Sequence, residues 1–145
     1  MSTIRKILII NGPNMDRLGK RQPEIYGTRS LDDIADLCQK EAVKHQMDIT
    51  FKQSNHEGEI ISWIGRAEED YQAIIINPAA YSHCSIAILD AILSIKIPVI
   101  EVHLTNILNR EELRQTSITA AACQGVICGF GAESYLLAIT VLSHL

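Results

Sequence analysis

The sequence predicts an α/β protein built around an open parallel β-sheet with helices on both faces. The first observation is that five short apolar runs, rich in β-branched residues, recur at residues 7–10, 49–53, 73–76, 98–102 and 125–128. The second is that the segments between these runs carry apolar residues at helical spacing. Strands that alternate with helices are joined by crossover connections, so the strands are expected to be parallel.

The predicted helices are recognised by apolar side chains three and four positions apart. The clearest helix start is Ser30, with Asp33 three residues later in the arrangement of a capping box. Helices are predicted around residues 31–42, 60–67, 86–93 and 135–139, and a short one over 109–115, with Asn109 as its N-cap and Glu112 at the third position. Five strands connected in this way most commonly adopt the doubly wound, flavodoxin-like order 2-1-3-4-5.

The composition indicates one domain over residues 1–145 with an aliphatic core. The chain is 47% hydrophobic and only 5% aromatic, and its net charge is −4. This acidic balance argues against sequence-independent nucleic-acid binding, and no segment reaches the roughly 18 apolar residues of a membrane helix. The four cysteines show no C-x-x-C pair and are predicted to be core residues in a reducing compartment. We therefore expect a cytoplasmic protein without a nucleic-acid or membrane partner.

A long segment rich in Gly, Pro and Asn follows the first predicted strand. Loops longer than about 12 residues are uncommon in compact domains unless they are functional or disordered. This one carries the basic side chains Arg17, Lys20 and Arg21 and the phenol Tyr26, a set suited to closing over an anionic ligand. We predict a lid loop at about residues 15–27 that lacks a helix or strand pattern, and a disordered surface loop is the alternative.

Polar side chains, including three of the five histidines, follow the predicted strands. Doubly wound sheets bind their ligands beyond the carboxyl ends of the strands, where these side chains would meet. The residues are Asn11, Asn14, Ser54, Asn55, His56, Glu57, Asn77, Ser82, His83, His103, Thr105 and Asn106. The sequence therefore predicts a polar ligand site at this edge of the sheet.

Glu101 and His103 are the strongest candidates for acid/base chemistry. Both belong to the fourth predicted strand or its end, and strand alternation places them on the same face. A carboxylate inside a central strand is costly unless it has a partner. A carboxylate that orients an imidazole is a common form of general acid or base. The alternative is a purely structural histidine beside an ion-paired glutamate.

Two further pairs of charged residues have two interpretations each. Arg110 and Arg114 lie one turn apart at the start of the predicted short helix, where they either stay solvated or bind an anion. His83 and Asp90 are seven residues apart and are expected to share a helix face. An ion pair of Asp90 with Lys96 or with a neighbouring chain is the alternative for that carboxylate.

The chain carries no common nucleotide or metal motif. It has no G-x-x-x-x-G-K-[ST] loop, no G-x-G-x-x-G after the first strand and no H-E-x-x-H. Its histidines and carboxylates do not form a metal triad by spacing. We therefore expect no metal and no cofactor, and a reaction on a small anionic carbonyl compound that uses acid/base groups, amides and arginines.

Short blocks of polar residues and glycines run along nearly the whole chain. They are Asn11-Gly-Pro-Asn14, Gly19-x-Arg21-x-Pro-x-x-Tyr26-Gly27, Gln53-Ser-Asn-His-Glu-Gly58, Ile75-Ile-Asn77-Pro, Ser82-His83, Asp90-Ala91, Pro98-x-Ile-Glu101-Val-His103-Leu-Thr-Asn106, Arg110-Glu-Glu-x-Arg114 and Gly125-Val-Ile-x-Gly-x-Gly131. In this order and spacing the blocks resemble type II 3-dehydroquinate dehydratase, the type II dehydroquinase.

The resemblance implies a hydro-lyase that removes water from 3-dehydroquinate to give 3-dehydroshikimate by anti elimination through an enolate. This reaction serves the shikimate pathway or quinate degradation. By resemblance, Tyr26 takes the C2 proton, Arg21 favours its phenolate, and Asn14 holds the enolate oxygen. His103, positioned by Glu101, protonates the departing C1 hydroxyl.

The resemblance also implies substrate contacts, an assembly and the absence of a cofactor or metal. Asn77, Leu104 and Thr105 would hold the carboxylate, partly through backbone amides. The ring hydroxyls would contact His83, Asp90 and Arg114, and Arg110 would support the closed lid. The family forms homododecamers built as a tetramer of trimers, with the Asp90 region approaching a neighbour's site.

The chain departs from the family pattern at several positions outside the predicted catalytic groups. They are Met15-Asp16-Arg17 for Leu-Asn-Leu, Gln22 for Glu, Cys84 for Thr, Leu89 for Arg and Thr116-Ser117 for His-Ser. These departures motivate one alternative, a catalytically weak or silent flavodoxin-like paralogue that binds or regulates. A flavin or nucleotide binder on the same fold is a further alternative, which the missing phosphate loop disfavours.

Overall fold

A computed structural model describes residues 4–145 and contains a five-stranded sheet in the order β2-β1-β3-β4-β5. The strands are β1 (Arg5–Asn11), β2 (Met47–Gln53), β3 (Ala73–Asn77), β4 (Val99–His103) and β5 (Gly125–Cys128). All four neighbouring pairs are parallel. The predicted fold class and strand order are therefore confirmed.

Five α-helices accompany the strands in the described part of the chain. They are α1 (Pro23–Tyr26), α2 (Leu31–Lys44), α3 (Glu57–Arg66), α4 (Ile86–Leu93) and α5 (Glu133–Ser143). The predicted capping box is present, because the Ser30 hydroxyl accepts from the Asp33 amide and the Asp33 carboxylate accepts from the Ser30 amide. No helix within residues 4–145 is long and apolar enough to cross a membrane.

Two apolar layers cover the sheet, one on each face. Successive side chains of a strand point to opposite faces, so Ile7 and Ile9 of β1 pack in one layer with α2 and α5. Leu8 and Ile10 pack in the other layer with α3 and α4. Full burial of each such side chain stabilises the fold by about 1.5–3 kcal/mol. Burial on both faces is why β1 reads as a continuous apolar run.

The prediction of a short helix that begins at Asn109 is wrong. Two 3-10 turns, Ile107–Asn109 and Glu112–Arg114, take its place, and the backbone of Arg110 between them is extended. The side chain of Asn106 caps the first turn by accepting a backbone N–H. The cap therefore lies three residues earlier than predicted, and the first turn ends before Arg110. The Arg110 side chain extends toward the carboxyl edge of the sheet, where it donates to the Thr105 hydroxyl.

The prediction that His83 and Asp90 share a helix face is also wrong. His83 ends the 3-10 turn Ala79–His83, which precedes α4. A new helix starts after Ser85, whose hydroxyl accepts a backbone N–H of the first turn of α4. Asp90 lies on the exposed side of α4 and makes no ion pair with Lys96 in the described part of the chain.

Two smaller expectations need correction. The predicted lid contains regular structure after all, a 3-10 turn at Met15–Arg17 and the single turn of α1, which Pro23 favours because its ring fixes φ near the helical value. All four cysteines are free, but only Cys38 is fully buried, and Cys84 is exposed at the surface rather than in the core.

Candidate active site

A cavity of about 130 Å³ opens at the carboxyl ends of β1, β3 and β4, where the polar edge was predicted, and it has room for a small organic molecule. Ten of the predicted site residues line it. They are Asn14, Arg21, Tyr26, Asn77, His83, His103, Leu104, Thr105, Arg110 and Arg114. Glu101 lies behind His103, and Asp90 does not line the cavity of this chain. The roles of these residues in binding and catalysis stay predictions.

Glu101 and His103 form the pair that strand alternation predicted. The Nε2 atom of His103 lies 2.8 Å from Oε2 of Glu101, and both side chains are buried, with exposed fractions of 5% and 0%. A carboxylate can only accept, so Nε2 carries a hydrogen and donates. The other ring nitrogen, Nδ1, is left to exchange a proton with a molecule in the cavity.

Tyr26 lies between two guanidinium groups. Nη2 of Arg110 lies 3.3 Å from the phenol oxygen, and Cζ of Arg21 lies 4.6 Å from the ring centroid. Partial burial raises the pKa of Tyr26, but hydrogen bonding and positive charge from Arg110, and then from Arg21, outweigh it. The pKa therefore lies below the value of about 10 for a free phenol. Arg110 joins Arg21 as a group that favours the phenolate.

Asn77 is fixed by buried hydrogen bonds that link the ends of β3 and β1 through Tyr135 of α5. Its Nδ2 donates to the Tyr135 hydroxyl at 2.9 Å, and that hydroxyl donates to Oδ1 of Asn11 at 2.6 Å. Oδ1 of Asn77 accepts from the Ala79 amide at 3.1 Å. Burial raises the pKa of Tyr135, so the phenol stays neutral and keeps its donor. These hydrogen bonds use one of the two Nδ2 hydrogens of Asn77 and leave the other for a ligand.

Replacing Tyr135 by phenylalanine is expected to lower the free energy of unfolding by about 1–3 kcal/mol, because Asn77 and Asn11 each lose a buried partner. Urea denaturation measures the change. Tyr71→Phe is the matched control, since the Tyr71 hydroxyl makes no side-chain hydrogen bond within residues 4–145. Equal effects of the two variants would show that the hydrogen bonds of the Tyr135 hydroxyl contribute nothing to stability.

Asn14 is held in a left-handed conformation with φ of 66°, which asparagine tolerates better than most residues. Its backbone amide donates to Oδ1 of Asn55 at 2.9 Å, and Nε2 of Gln53 donates to the same oxygen at 3.2 Å. Two residues earlier, a Cβ at Gly12 would lie 2.4 Å from the Pro78 carbonyl oxygen. Only glycine allows this close approach, which brings the turn that carries Asn14 beside β3.

His83 and Arg114 also line the cavity. Nδ1 of His83 lies 2.8 Å from the carbonyl oxygen of Thr116. A carbonyl only accepts, so Nδ1 carries the hydrogen and Nε2 is available to a ligand. Arg114 forms an ion pair with Glu111, and both side chains are partly exposed to solvent.

Residues that contact the site from behind were missed by the sequence analysis. They are Gln53, Ser117, Thr119 and Tyr135. Gln53 stands inside a quoted block and Ser117 stands among the noted departures, which was a usable signal, whereas Tyr135 looks like any core residue of a helix. In residues 4–145 no group of three His, Cys, Asp or Glu side chains could hold a metal ion.

The fold and the site together define a doubly wound α/β protein whose cavity at the carboxyl edge of the sheet is lined by imidazoles, a phenol and arginines. The sequence model of the family described as dehydroquinase class II matches residues 5–143. The chain belongs to this family, and the predicted resemblance is confirmed.

Relatives and solved structures agree with this assignment. A 3-dehydroquinate dehydratase of Brucella canis is 52% identical over 139 residues, which cover 96% of this chain and 88% of the relative. The crystal structure of type II dehydroquinase from Propionibacterium acnes has a TM-score of 0.95 and 41% identity, covering 99% of this chain and 100% of that one. The type II dehydroquinase from Butyrivibrio crossotus has a TM-score of 0.95 and 40% identity, covering 97% and 99%.

Proposed function

We propose that this protein is a 3-dehydroquinate dehydratase, a hydro-lyase that converts 3-dehydroquinate to 3-dehydroshikimate. The observation that carries the proposal is that Tyr26, between two arginines, and His103, on the buried Glu101, line one cavity. Family membership and the names of relatives at 52% identity support the same activity. A silent paralogue is disfavoured, because both proton-transfer groups are in place despite the altered lid residues.

The elimination needs a base, a place for negative charge and an acid. The Tyr26 phenolate takes the C2 proton, and the electrons of that bond move to the carbonyl oxygen to form an enolate. Asn14 donates to this oxygen, as a donor in an oxyanion hole does. As the enolate collapses, a C1–C2 double bond forms, the C1–O bond breaks, and His103 protonates the hydroxyl, which leaves as water.

The substrate is held by its carboxylate and its ring hydroxyls. Asn77, with Leu104 and Thr105 at the end of β4, binds the carboxylate. The ring hydroxyls contact His83 and Arg114, and Asp90 reaches them only from a neighbouring subunit, since it lies outside the cavity of its own chain. The oxygen of Thr105 already lies 3.4 Å from Nη1 of Arg110, which supports a polar end of the cavity there.

The activity is tested by incubating metal-free purified protein with 3-dehydroquinate and following the absorbance of the enone product. A steady increase that depends on enzyme concentration is expected. A double variant, Tyr26→Phe with His103→Ala, sets the background rate. No absorbance change at high enzyme concentration would overturn the proposal, and a yellow purified protein would instead favour a flavin binder.

The proposal includes a lid that closes on the substrate, and the burial pattern supports a hinge near Leu18. Met15 and Leu18 are anchored in the core, whereas most of the following residues up to Arg29 are exposed. Few buried contacts imply low local stability. Closure of this segment over the substrate would bring Arg21 and Tyr26 against it and exclude water.

Trypsin is expected to cleave the free protein after Lys20 and Arg21, because this part of the lid is poorly anchored. Arg17, between the two buried anchors, should be cut more slowly. A saturating dehydroquinate analogue should protect the lid sites strongly, while cleavage at the exposed Lys96, outside the cavity, serves as the control. Equal lid cleavage with and without the analogue would show that the segment is not a lid.

We further propose the homododecamer, a tetramer of trimers, that the family resemblance implied. The exposed side of α4 supports a subunit contact there, since Ile86 and Leu93 are 63% and 64% exposed. Asp90 lies on the same helix and is also exposed. An apolar helix surface of this kind is typical of an interface, and threefold symmetry would repeat one such contact three times.

Sedimentation at micromolar concentration is expected to show trimers or dodecamers. Leu93→Lys should dissociate them, because it places a charge in the proposed contact. Val43→Lys is the matched control, since Val43 is 74% exposed on α2, which packs on the other face of the sheet. A wild-type protein that sediments only as a monomer would contradict the assembly.

The proposed location is the cytoplasm. Its support is chemical, because Cys38, Cys84, Cys123 and Cys128 are all free thiols. Free cysteines are typical of a reducing compartment.

A further inference from the structure

We propose that Ser117 and Thr119 are positioning residues that orient the Glu101–His103 pair for proton delivery. The inference deepens the proposed function and rests on it for the identity of the reaction. The two hydroxyls hold the glutamate carboxylate in one orientation, and the carboxylate then holds the imidazole.

The carboxylate of Glu101 is surrounded by donors on both oxygens. The Ser117 hydroxyl donates to Oε2 at 2.6 Å, and Nε2 of His103 reaches the same oxygen at 2.8 Å. The Thr119 hydroxyl donates to the other oxygen, Oε1. Glu101 and Thr119 are completely buried. Water therefore cannot replace the Thr119 hydroxyl, whereas Ser117 is only partly buried.

The hydroxyl hydrogen of Ser117 has a defined direction. The backbone amide of Ala120 donates to the Ser117 oxygen at 3.1 Å, at the start of the 3-10 turn Thr119–Ala122. The Thr119 hydroxyl oxygen also lies 3.2 Å from the Ser117 oxygen, but the Thr119 hydrogen is donated to Oε1. Because a carboxylate only accepts, the O–H of Ser117 is directed to Oε2. The segment after β4 thus delivers two aligned donors to a residue 16 and 18 positions earlier in the chain.

No arginine or lysine forms an ion pair with Glu101 in the described part of the chain, where its one ionic partner is His103. An unpaired buried carboxylate is very unfavourable, but hydrogen bonds to the charged form offset that cost. The neighbouring thiol of Cys123 does not compete as an anion. Burial, reinforced by the negative charge of Glu101, raises the pKa of Cys123 to about 12.

The consequence concerns the ring of His103. With Oε1 occupied by Thr119, the imidazole hydrogen has one acceptor, Oε2, so the tautomer with hydrogen on Nε2 is selected. His103 lines the cavity and acts as the acid in its imidazolium form, in which Nε2 donates to Oε2 of Glu101 and Nδ1 also carries a hydrogen. The leaving hydroxyl takes the Nδ1 proton, and the ring is left as the neutral tautomer with hydrogen on Nε2. Loss of one hydroxyl lets the carboxylate rotate and releases the imidazole. The expected defect is therefore in proton transfer, with substrate binding intact.

The decisive comparison is Thr119→Val with Thr119→Ser. Valine has nearly the same shape but no donor, whereas serine keeps the hydroxyl and loses a methyl group. Thr119→Val is expected to lower kcat about 10- to 100-fold, the range for one lost hydrogen bond to a charged group. KM should be unchanged, and Thr119→Ser should stay close to wild type.

A second readout does not depend on turnover. At a pH where the His103 ring is neutral, its ¹⁵N NMR spectrum should show hydrogen fixed on Nε2 in the wild type and in Thr119→Ser, and a mixture of tautomers in Thr119→Val. Ser117→Ala, measured in both ways, supplies a second variant in case the valine variant does not fold, and the same kcat loss and tautomer mixture are expected for it.

Three results would overturn the positioning role. They are an unchanged kcat in a folded Thr119→Val or Ser117→Ala protein, equal losses in the valine and serine variants, and a His103 spectrum that neither hydroxyl affects. If the wild type has no turnover on 3-dehydroquinate, the proposed function fails, but the NMR comparison still decides whether the hydroxyls orient the imidazole.

Discussion

Replacing Tyr26 by phenylalanine is expected to lower kcat by about 10²- to 10⁴-fold, the usual contribution of a positioned acid/base group. The ring stays, so its contact with the Arg21 guanidinium stays, and only the proton acceptor is lost. KM should therefore change little. Steady-state measurement of enone formation checks this result, and near-wild-type turnover would remove Tyr26 from its role as the base.

The same base makes a prediction about pH. Activity requires the phenolate, so kcat/KM should rise as the pH passes upward through the pKa of Tyr26. Arg110 and Arg21 hold this pKa below its usual value, so removing either charge raises it and moves the rise in activity to higher pH. Arg110→Gln should have the larger effect, since Arg110 donates to the phenol oxygen.

Arg17→Gln is the matched control for the pH profiles, because Arg17 belongs to the same segment but does not line the cavity. Its profile should match that of the wild type. If the Arg110 and Arg21 variants also keep the wild-type profile, the two arginines do not set the protonation state of Tyr26.

The sheet could be predicted from sequence because its signal is strong and local. Runs such as residues 73–76 are buried on both faces, so they are apolar throughout and short. The start of α2 was equally readable, since the capping box of Ser30 and Asp33 involves residues only three apart. These features depend on nearest neighbours along the chain, which a sequence displays directly.

The turns after β4 could not be predicted for the opposite reason. The pattern around Asn109 is compatible with a helix, and the backbone there is set by contacts with distant residues. Arg110 hydrogen-bonds to Tyr26, 84 residues away in the chain, and this contact requires an extended rather than a helical Arg110. Tertiary contacts overrode the local preference.

The candidate site was predictable at the edge of the sheet and less so behind it. His103 and Asn77 stand at strand ends, where the topology alone brings them together. Tyr135 contacts Asn11 across 124 residues, and its spacing on α5 is that of an ordinary core residue. Asp90 lies on α4 outside the cavity, because the turn at His83 ends before α4 begins and the two residues do not share a helix.

Replacing His103 by alanine is expected to lower kcat by about 10²- to 10⁴-fold, because the C1 hydroxyl would have to leave without a proton from a positioned acid. Glu101→Gln should cause a smaller loss, since the imidazole stays while the negative charge that orients it is removed. Both values come from the enone assay, with KM measured in parallel.

The matched control for both variants is His45→Ala. His45 also pairs with a glutamate, Glu41 at 3.4 Å, but this pair lies on α2 and its end, outside the cavity. If a histidine–carboxylate pair affected turnover only by stabilising the fold, His45→Ala and His103→Ala would lower kcat to a similar extent. Loss of turnover in His103→Ala alone would assign the proton transfer to this imidazole, whereas near-wild-type turnover would exclude His103 as the acid.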